Sequence, residues 1–330
     1  MREATMYAAP PQRETTVFAT YPQAWRVATP DNEWIRNQPR GMPLGSFLEG
    51  PSFDRDGNLW CVDIPNGRIL RVAPDGAFTI VAEYDGWPNG LKIHKDGRVF
   101  VADYKNGIMV VDPVSGAVEP FLVRAGIERF KGVNDLFFSR EGDLYFTDQG
   151  LTGWQDASGR LFRLRDDGGG VTCLLDGIPS PNGLVMNLAE DSLYLAVTRA
   201  NAIWRVPLMP DGTTAKVGTF IQMSGGAGPD GLALDARGCL AIAHAGKGTV
   251  WLFDATGEPV LRIASSAGPH TTNVAFGGPD GRSLFITESS SGTILRADLD
   301  TPGKPMFSHW EVADGSRFAR EPRLQCSSSP

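Results

Sequence analysis

One pattern recurs six times along this chain, and few folds can accommodate it. Each unit has an acid or amide, a short apolar run, a turn usually holding Asp-Gly or Glu-Gly, and a second apolar run. It reads EGPSFDRDGNLWCVD from Glu49, NGLKIHKDGRVFVAD from Asn89, NDLFFSREGDLYFTD from Asn134, NGLVMNLAEDSLYLAV from Asn182, DGLALDARGCLAIAH from Asp230 and NVAFGGPDGRSLFITE from Asn273. Successive starts lie 40, 45, 48, 48 and 43 residues apart. The runs are rich in Val, Ile, Leu, Phe and Tyr, and a Gly usually introduces a third run such as GRILRV, GTVWLF or GTILRA. That is strand chemistry around hairpin turns. A repeat of this length with about four strands is a propeller blade, so the expectation is an all-β, six-bladed β-propeller forming one domain over residues 1–330. TTVFAT at 15–20 precedes the first unit and can add a strand to the last blade, closing the ring. Residues 1–14 and 321–330 are expected to be flexible tails, and helices to be few.

Composition narrows the function. The 39 Gly and 24 Pro are spread along the chain as turn punctuation. A net charge of −7 and no dense Lys/Arg run exclude nucleic acid as a partner. No run of eighteen apolar residues and no signal-type segment is present, so no membrane partner and a cytoplasmic location are expected. Oligomeric state is left open. Cys61, Cys173, Cys239 and Cys326 are far apart without CxxC spacing, and the first three lie in apolar runs, which reads as reduced, buried thiols. GAGPDG at 226–231 lacks the helix that a dinucleotide loop requires, and DRDGN at 54–58 is a hairpin turn without the remaining calcium-loop ligands.

The units begin with Glu49, Asn89, Asn134, Asn182, Asp230 and Asn273, every one an acid or amide. Inner strands line a propeller's channel, so these six form a ring of oxygens around the axis. Two carboxylates and several amides, without sulfur or imidazole, suit a hard divalent cation, Ca²⁺ foremost, with Zn²⁺, Mn²⁺ or Mg²⁺ open. A second set, Asp63, Asp103, Asp148, Val197, His244 and Glu288, ends the second apolar runs and is expected opposite the ring, about 5 Å away by cross-strand spacing. Asn89, Asn273, Asp148 and Glu288 are candidates for substrate contact or for orienting the ligands. His244 is the imidazole this pairing places beside Asp230, while His94, His270 and His309 read as structural or surface residues.

At LEGPSFDRDGNLWCVD, GVNDLFFSREGDLYFTD, SPNGLVMNLAEDSLYLA and GPDGLALDARGCLAIA the chain resembles the senescence-marker-protein/gluconolactonase/luciferin-regenerating family of six-bladed propellers, over roughly residues 45 to 300. The resemblance implies a divalent metal on Glu49, Asn182 and Asp230, with Asn134 on the metal or on substrate. It also implies hydrolysis of a small-molecule lactone or cyclic ester. The metal would polarise the carbonyl, and Asp230 would position or deprotonate water; His244 is the base if Asp230 is only a ligand. The sugar-lactonase members related to the animal proteins carry an arginine two residues before the motif Asn; here that position is Gly132. With Trp87, Phe130 and Trp154 nearby, a less polar or bulkier ring is favoured. A phosphoester hydrolase, direct attack by the carboxylate, and a non-catalytic ligand-binding propeller with a structural metal stay open.

Overall fold

A computed structural model describes residues 9–29, 31–38 and 45–310. The repeats form six blades in a ring, each built on four strands, paired in sequence order in the first five. The inner strands are Leu48–Phe53, Pro88–Ile93, Val133–Phe138, Pro181–Met186, Gly228–Leu234 and Thr271–Gly277. The second strands, Leu59–Asp63, Val99–Asp103, Leu144–Asp148, Ser192–Val197, Leu240–Ala245 and Ser283–Glu288, are buried at every position. They read as continuous apolar runs because each blade is covered on both faces by its neighbours. Six apolar clusters result, one at each seam. Between blades one and two, Trp60, Val62 and Ile69 meet Leu91, Val99 and Val101. Between six and one, Phe285 and Ile294 meet Phe53 and Leu70.

The ring closes as expected. Thr16–Thr20 pairs antiparallel with Thr293–Asp298, supplying the outer strand of blade six. The chain then continues to Tyr21, whose hydroxyl donates to Asp63 at 2.6 Å and accepts from Arg68 at 2.9 Å in blade one. Part of the expected N-terminal tail is ordered: Gln12–Glu14 lies parallel to the outer strand Pro259–Ala264 of blade five. That strand's unpaired edge offers hydrogen bonds to any extended segment that reaches it. Residues 1–8 and 321–330, the rest of the expected tails, lie outside the described residues. Helix is confined to Glu33–Arg36 and short 3₁₀ turns among the described residues, and no helix is long and apolar enough to cross a membrane. The thiols differ from expectation: Cys61 is buried, but Cys173 is exposed on an outer strand and Cys239 is half-buried, while Cys326 lies outside the described residues.

Every inner strand carries an irregularity where the recurring acid or amide stands. Pairing slips between Glu49 and Ser52, Pro88 and Leu91, Val133 and Leu136, Pro181 and Leu184, Pro229 and Leu232, and Thr271 and Asn273. A bulge re-aims side chains and ends regular pairing. The expected second set is therefore displaced: Asp63, Asp103, Asp148, Val197, His244 and Glu288 pair with Leu48, Pro88, Val133, Pro181, Pro229 and Thr271, not with the ring residues. In the first five blades the offset is one residue, which turns a side chain to the other face of a strand; in the sixth it is two.

The inner strands approach one another closely. A β-carbon on Gly183 would stand 2.4 Å from the Asp230 carbonyl oxygen and 2.8 Å from the Gly231 Cα, both backbone atoms of the next blade. Gly183→Ala is expected to cost about 1–3 kcal/mol in urea unfolding. Gly218→Ala, on an outer strand with no atom within 4 Å of its β-carbon, is expected to stay within about 0.5 kcal/mol.

Candidate active site

The channel has one open end. At the other, Lys304, Pro305, Met306 and Phe307 lie across the ends of the inner strands and leave a small, mainly apolar space of about 60 Å³. This segment is fixed where Lys304 N–H donates to Leu234 O at 2.8 Å and Ser308 Oγ to Phe53 O at 3.1 Å. At the open end the inner strands begin, and a cleft of about 730 Å³ forms around the axis. Glu49, Asn89, Asn134, Asn182 and Asp230 line it. The sixth ring residue, Asn273, lies beneath them at 2% exposure, and its Nδ2 donates to Glu49 Oε2 at 2.8 Å.

The ring is held through its backbone. Thr147 Oγ1 donates to the carbonyl of Asn182 at 2.9 Å, Thr198 Oγ1 to that of Pro229 at 2.8 Å, and Thr272 Oγ1 to that of Leu48 at 3.0 Å, each from one blade to the next. Side-chain bonds then orient the polar groups. Asn134 Nδ2 donates to Gln149 Oε1 at 3.0 Å, and Gln149 Nε2 to Ser180 Oγ at 2.9 Å. This leaves Asn134 Oδ1 buried with no hydrogen-bond partner. Asn182 lies beside the Asp230 carboxylate and favours its charged form.

A third carboxylate shares the channel, and the residues alone did not single it out. Asp135 is 3% exposed, beside Asn273, with Lys92 Nζ at 3.9 Å. Its signal in the sequence is a departure: the residue after the ring position is Gly in four units and Asp in the third. Burial first, then the charges of Glu49 and Asp135, pushes Asp230 well above the usual carboxylate range. Burial likewise raises Asp135, and raises Glu49 to about 7 against the hydrogen bonds from Asn273 and Gly50 N–H. Crowded carboxylates and an unpartnered amide oxygen are what a hard cation would satisfy. Among the described residues no three His, Cys, Asp or Glu side chains are arranged to hold a metal, so a cation here would need the amide oxygens as well.

Asp148, Glu288 and His244 sit elsewhere. Asp148 accepts from Lys131 N–H at 2.7 Å and Gly132 N–H at 2.8 Å, and from Arg160 at 2.6 Å; Glu288 accepts from His270 N–H at 2.9 Å and Ser291 N–H at 2.8 Å. They staple the loops leading into the inner strands and bond no ring side chain. His244 is 1% exposed, does not line the cleft, and donates from Nε2 to Gly225 O at 2.8 Å. Burial lowers its pKa and keeps it neutral. The imidazole that does line the cleft is His270, whose Nδ1 is buried and unpartnered. It precedes the last repeat, outside any motif, so the pattern carried no signal for it. Trp87 and Trp154 line the cleft as expected, joined by Tyr104. Phe130 instead packs on Phe146 and Phe162 in the seam behind. A β-carbon at Gly132 would fall 2.6 Å from the Tyr104 ring, so this tyrosine occupies the space beside the glycine.

Fold and site define a channel-site propeller, closed at one end, with an acid-and-amide ring at its open mouth. Residues 47–290 match the SMP-30/Gluconolactonase/LRE-like region, and the chain belongs to that family. It is 31% identical over 241 residues to lactonase drp35 of Staphylococcus saprophyticus, covering 70% of this chain and 72% of that protein. Among solved structures it is similar to the calcium-binding protein regucalcin of Agrobacterium tumefaciens (TM-score 0.72, 22% identity, covering 90% of this chain and 98% of that one). It is also similar to a gluconolactonase of Xanthomonas campestris (TM-score 0.67, 24% identity, covering 78% and 86%). At these identities the two structural likenesses show the fold.

The crowding has a sign that can be measured. Glu49 moves from 4.5 to about 7 on folding, so the folded chain binds that proton more tightly than the unfolded chain. Its contribution to stability is greatest below pH 4.5 and is lost as the pH rises through 7. Metal-free protein is expected to have a lower urea midpoint at pH 8 than at pH 6, and Glu49→Gln to flatten that slope. Millimolar Ca²⁺ is expected to restore more stability at pH 8, where the carboxylates are charged.

Proposed function

We propose that this chain hydrolyses a small-molecule lactone or similar cyclic ester, using a divalent cation, Ca²⁺ foremost, held by Glu49, Asn134, Asn182 and Asp230. The observation that carries this reading is the pairing of an orphaned Asn134 oxygen with two mutually opposed carboxylates in one cleft. Family membership and the lactonase relative support the substrate class. A bound cation supplies Lewis-acid polarisation of the ester carbonyl and offsets the two negative charges.

The chain's own groups do the rest. Asp230 orients a water molecule and takes its proton as the water oxygen bonds to the carbonyl carbon; the ring C–O bond then breaks, and the alkoxide receives a proton to give the hydroxy acid. Its raised proton affinity suits it to that role better than an isolated exposed aspartate. Glu49 is fixed by Asn273 and by Gly50 N–H, each at 2.8 Å, so it keeps its place as charge moves. Trp87, Tyr104 and Trp154 give the cleft an apolar side for the body of the ring.

Activity on simple lactones, abolished by chelator and restored by Ca²⁺, tests the reading; no turnover of any lactone with metal bound overturns it. Asp230→Asn is expected to retain a deficit of about 10²–10⁴-fold in kcat at saturating metal. Full recovery on adding metal would reduce Asp230 to a ligand. His244→Gln, altering a side chain committed to Gly225, is expected to leave the shape of the pH–rate profile unchanged.

A further inference from the structure

The turns that follow the second strands form an upper ring above the site, and their second residues are Pro65, Lys105, Gly150, Arg199, Lys247 and Ser290. Three are cations, and Lys247 Nζ donates to Ser224 O at 2.7 Å. Lys105 is paired to Asp85 at 2.5 Å. Arg199 is exposed, lines the cleft, and has no hydrogen bond or ion pair among the described residues. It is also the one Lys or Arg among the described residues lining that cleft.

Where the second strand ends in an acid, that acid serves the arginine opening the third strand: Asp148 neutralises Arg160 at 2.6 Å, and Asp63 shares Tyr21 with Arg68. In blade four the paired positions are Val197 and Ala202, both buried and apolar, so this end of the blade holds no ion pair and Arg199 bonds no acid in its own turn. The turn that carries Arg199 is nonetheless tightly built. Thr198 N–H donates to Ser180 O at 3.0 Å, and Thr198 Oγ1 to Pro229 O at 2.8 Å. Asn201 accepts a left-handed backbone at φ 52°, and Gln222 Nε2 donates to its carbonyl at 3.0 Å. A fixed base carrying an unpaired guanidinium is a preorganised anion receptor.

We infer that Arg199 is a carboxylate-binding subsite, and that the substrate of this cleft is a lactone bearing a carboxylate group. The inference rests on the lactone-hydrolysing reading above for the ring, and on Arg199 for the acid. Charge count selects a monoanion: one guanidinium matches one carboxylate, whereas a phosphate dianion would bring a second charge toward Glu49 and Asp230. Leu151 and Trp154, 65% and 71% exposed on the loop of the neighbouring blade, flank the same mouth and suit an apolar portion of the ligand. The site that results is bipartite, with the reacting carbonyl at the ring and the acid at the rim.

Two readouts keep the inference separate from the reading beneath it. The first is binding, with Ca²⁺ saturating, of a non-hydrolysable lactam bearing a carboxylate and of the same lactam as its methyl ester. The unmodified protein is expected to prefer the acid, and Arg199→Gln to lose about 10–100-fold of that preference, as charge-assisted hydrogen bonds predict. Arg199→Lys is expected to keep part of it, and rising salt to erode it. No preference for the acid, or a preference that survives in Arg199→Gln, overturns the subsite. The second is turnover of the matching lactones, where the acid-to-ester ratio of kcat/KM should fall by the same factor. An equal loss on both substrates would assign Arg199 to the carboxylate formed in every product, and would also overturn the inference. Lactams that bind with the expected preference while no lactone is turned over would leave the subsite standing and remove the hydrolytic reading.

Discussion

Six strands converge on the axis of this protein so closely that a β-carbon at Gly90 would stand 2.8 Å from the carbonyl oxygen of Asn134 in the next blade. At that separation there is no room for a side chain on every residue, and the ladder cannot run regularly to the end of each strand. The bulge at each inner strand follows from this crowding, and in blades two to five the residue it frees is the acid or amide that faces the cleft. The polar ring is thus a consequence of how the blades pack. What the sequence adds is the identity of six side chains at a position the geometry already exposes.

Crowding of this kind needs a rigid frame, and the seams between blades supply it. Each second strand is buried on both faces, and each seam holds its own apolar cluster, so no single core dominates. A ring of pairwise contacts is stable only when the last blade meets the first. Thr16–Thr20 makes that closure with strand pairing, and Tyr21 then ties it to Asp63 and Arg68. The carboxylates at the ends of the second strands serve the same frame. By accepting N–H groups from the loops ahead of the inner strands, Asp148 and Glu288 fix where those strands start.

Much of this was legible because it is local and repeated. Strand chemistry, turn spacing and the ring position appear in every unit, and the closing strand announces itself as an apolar run with no unit of its own. What escaped depends on relations between strands. A count along the chain placed Asp148, Glu288 and His244 opposite the ring, but a bulge adds a residue to one strand and not its partner, which moves the first five away, while in the sixth Asn273 pairs in register with Thr287 and not Glu288. His270 escaped for a different reason: loops carry no period, and its place in the cleft follows from the Glu288 staple. Cys173 looked buried because its run is apolar, yet outer strands turn one face to water. Asp135 could have been found, since it breaks the Gly pattern of four other units.

The departures from symmetry are where a generic propeller becomes a particular site. In blade three, Asp for Gly puts a third carboxyl group under the ring, facing Lys92 at 3.9 Å and beside Asn273, which in turn holds Glu49. The acids of the channel are therefore concentrated at its floor. In blade four an unpaired Arg199 stands at the rim, and its charge opposes the upward shift of Asp230 below it. A sixfold ring of equal oxygens would bind a cation but give a ligand no direction. Displacing negative charge toward the floor and positive charge toward one side of the mouth creates a field along the cleft, and a substrate with an electron-poor carbonyl at one end and an acid at the other has one orientation in that field that satisfies both.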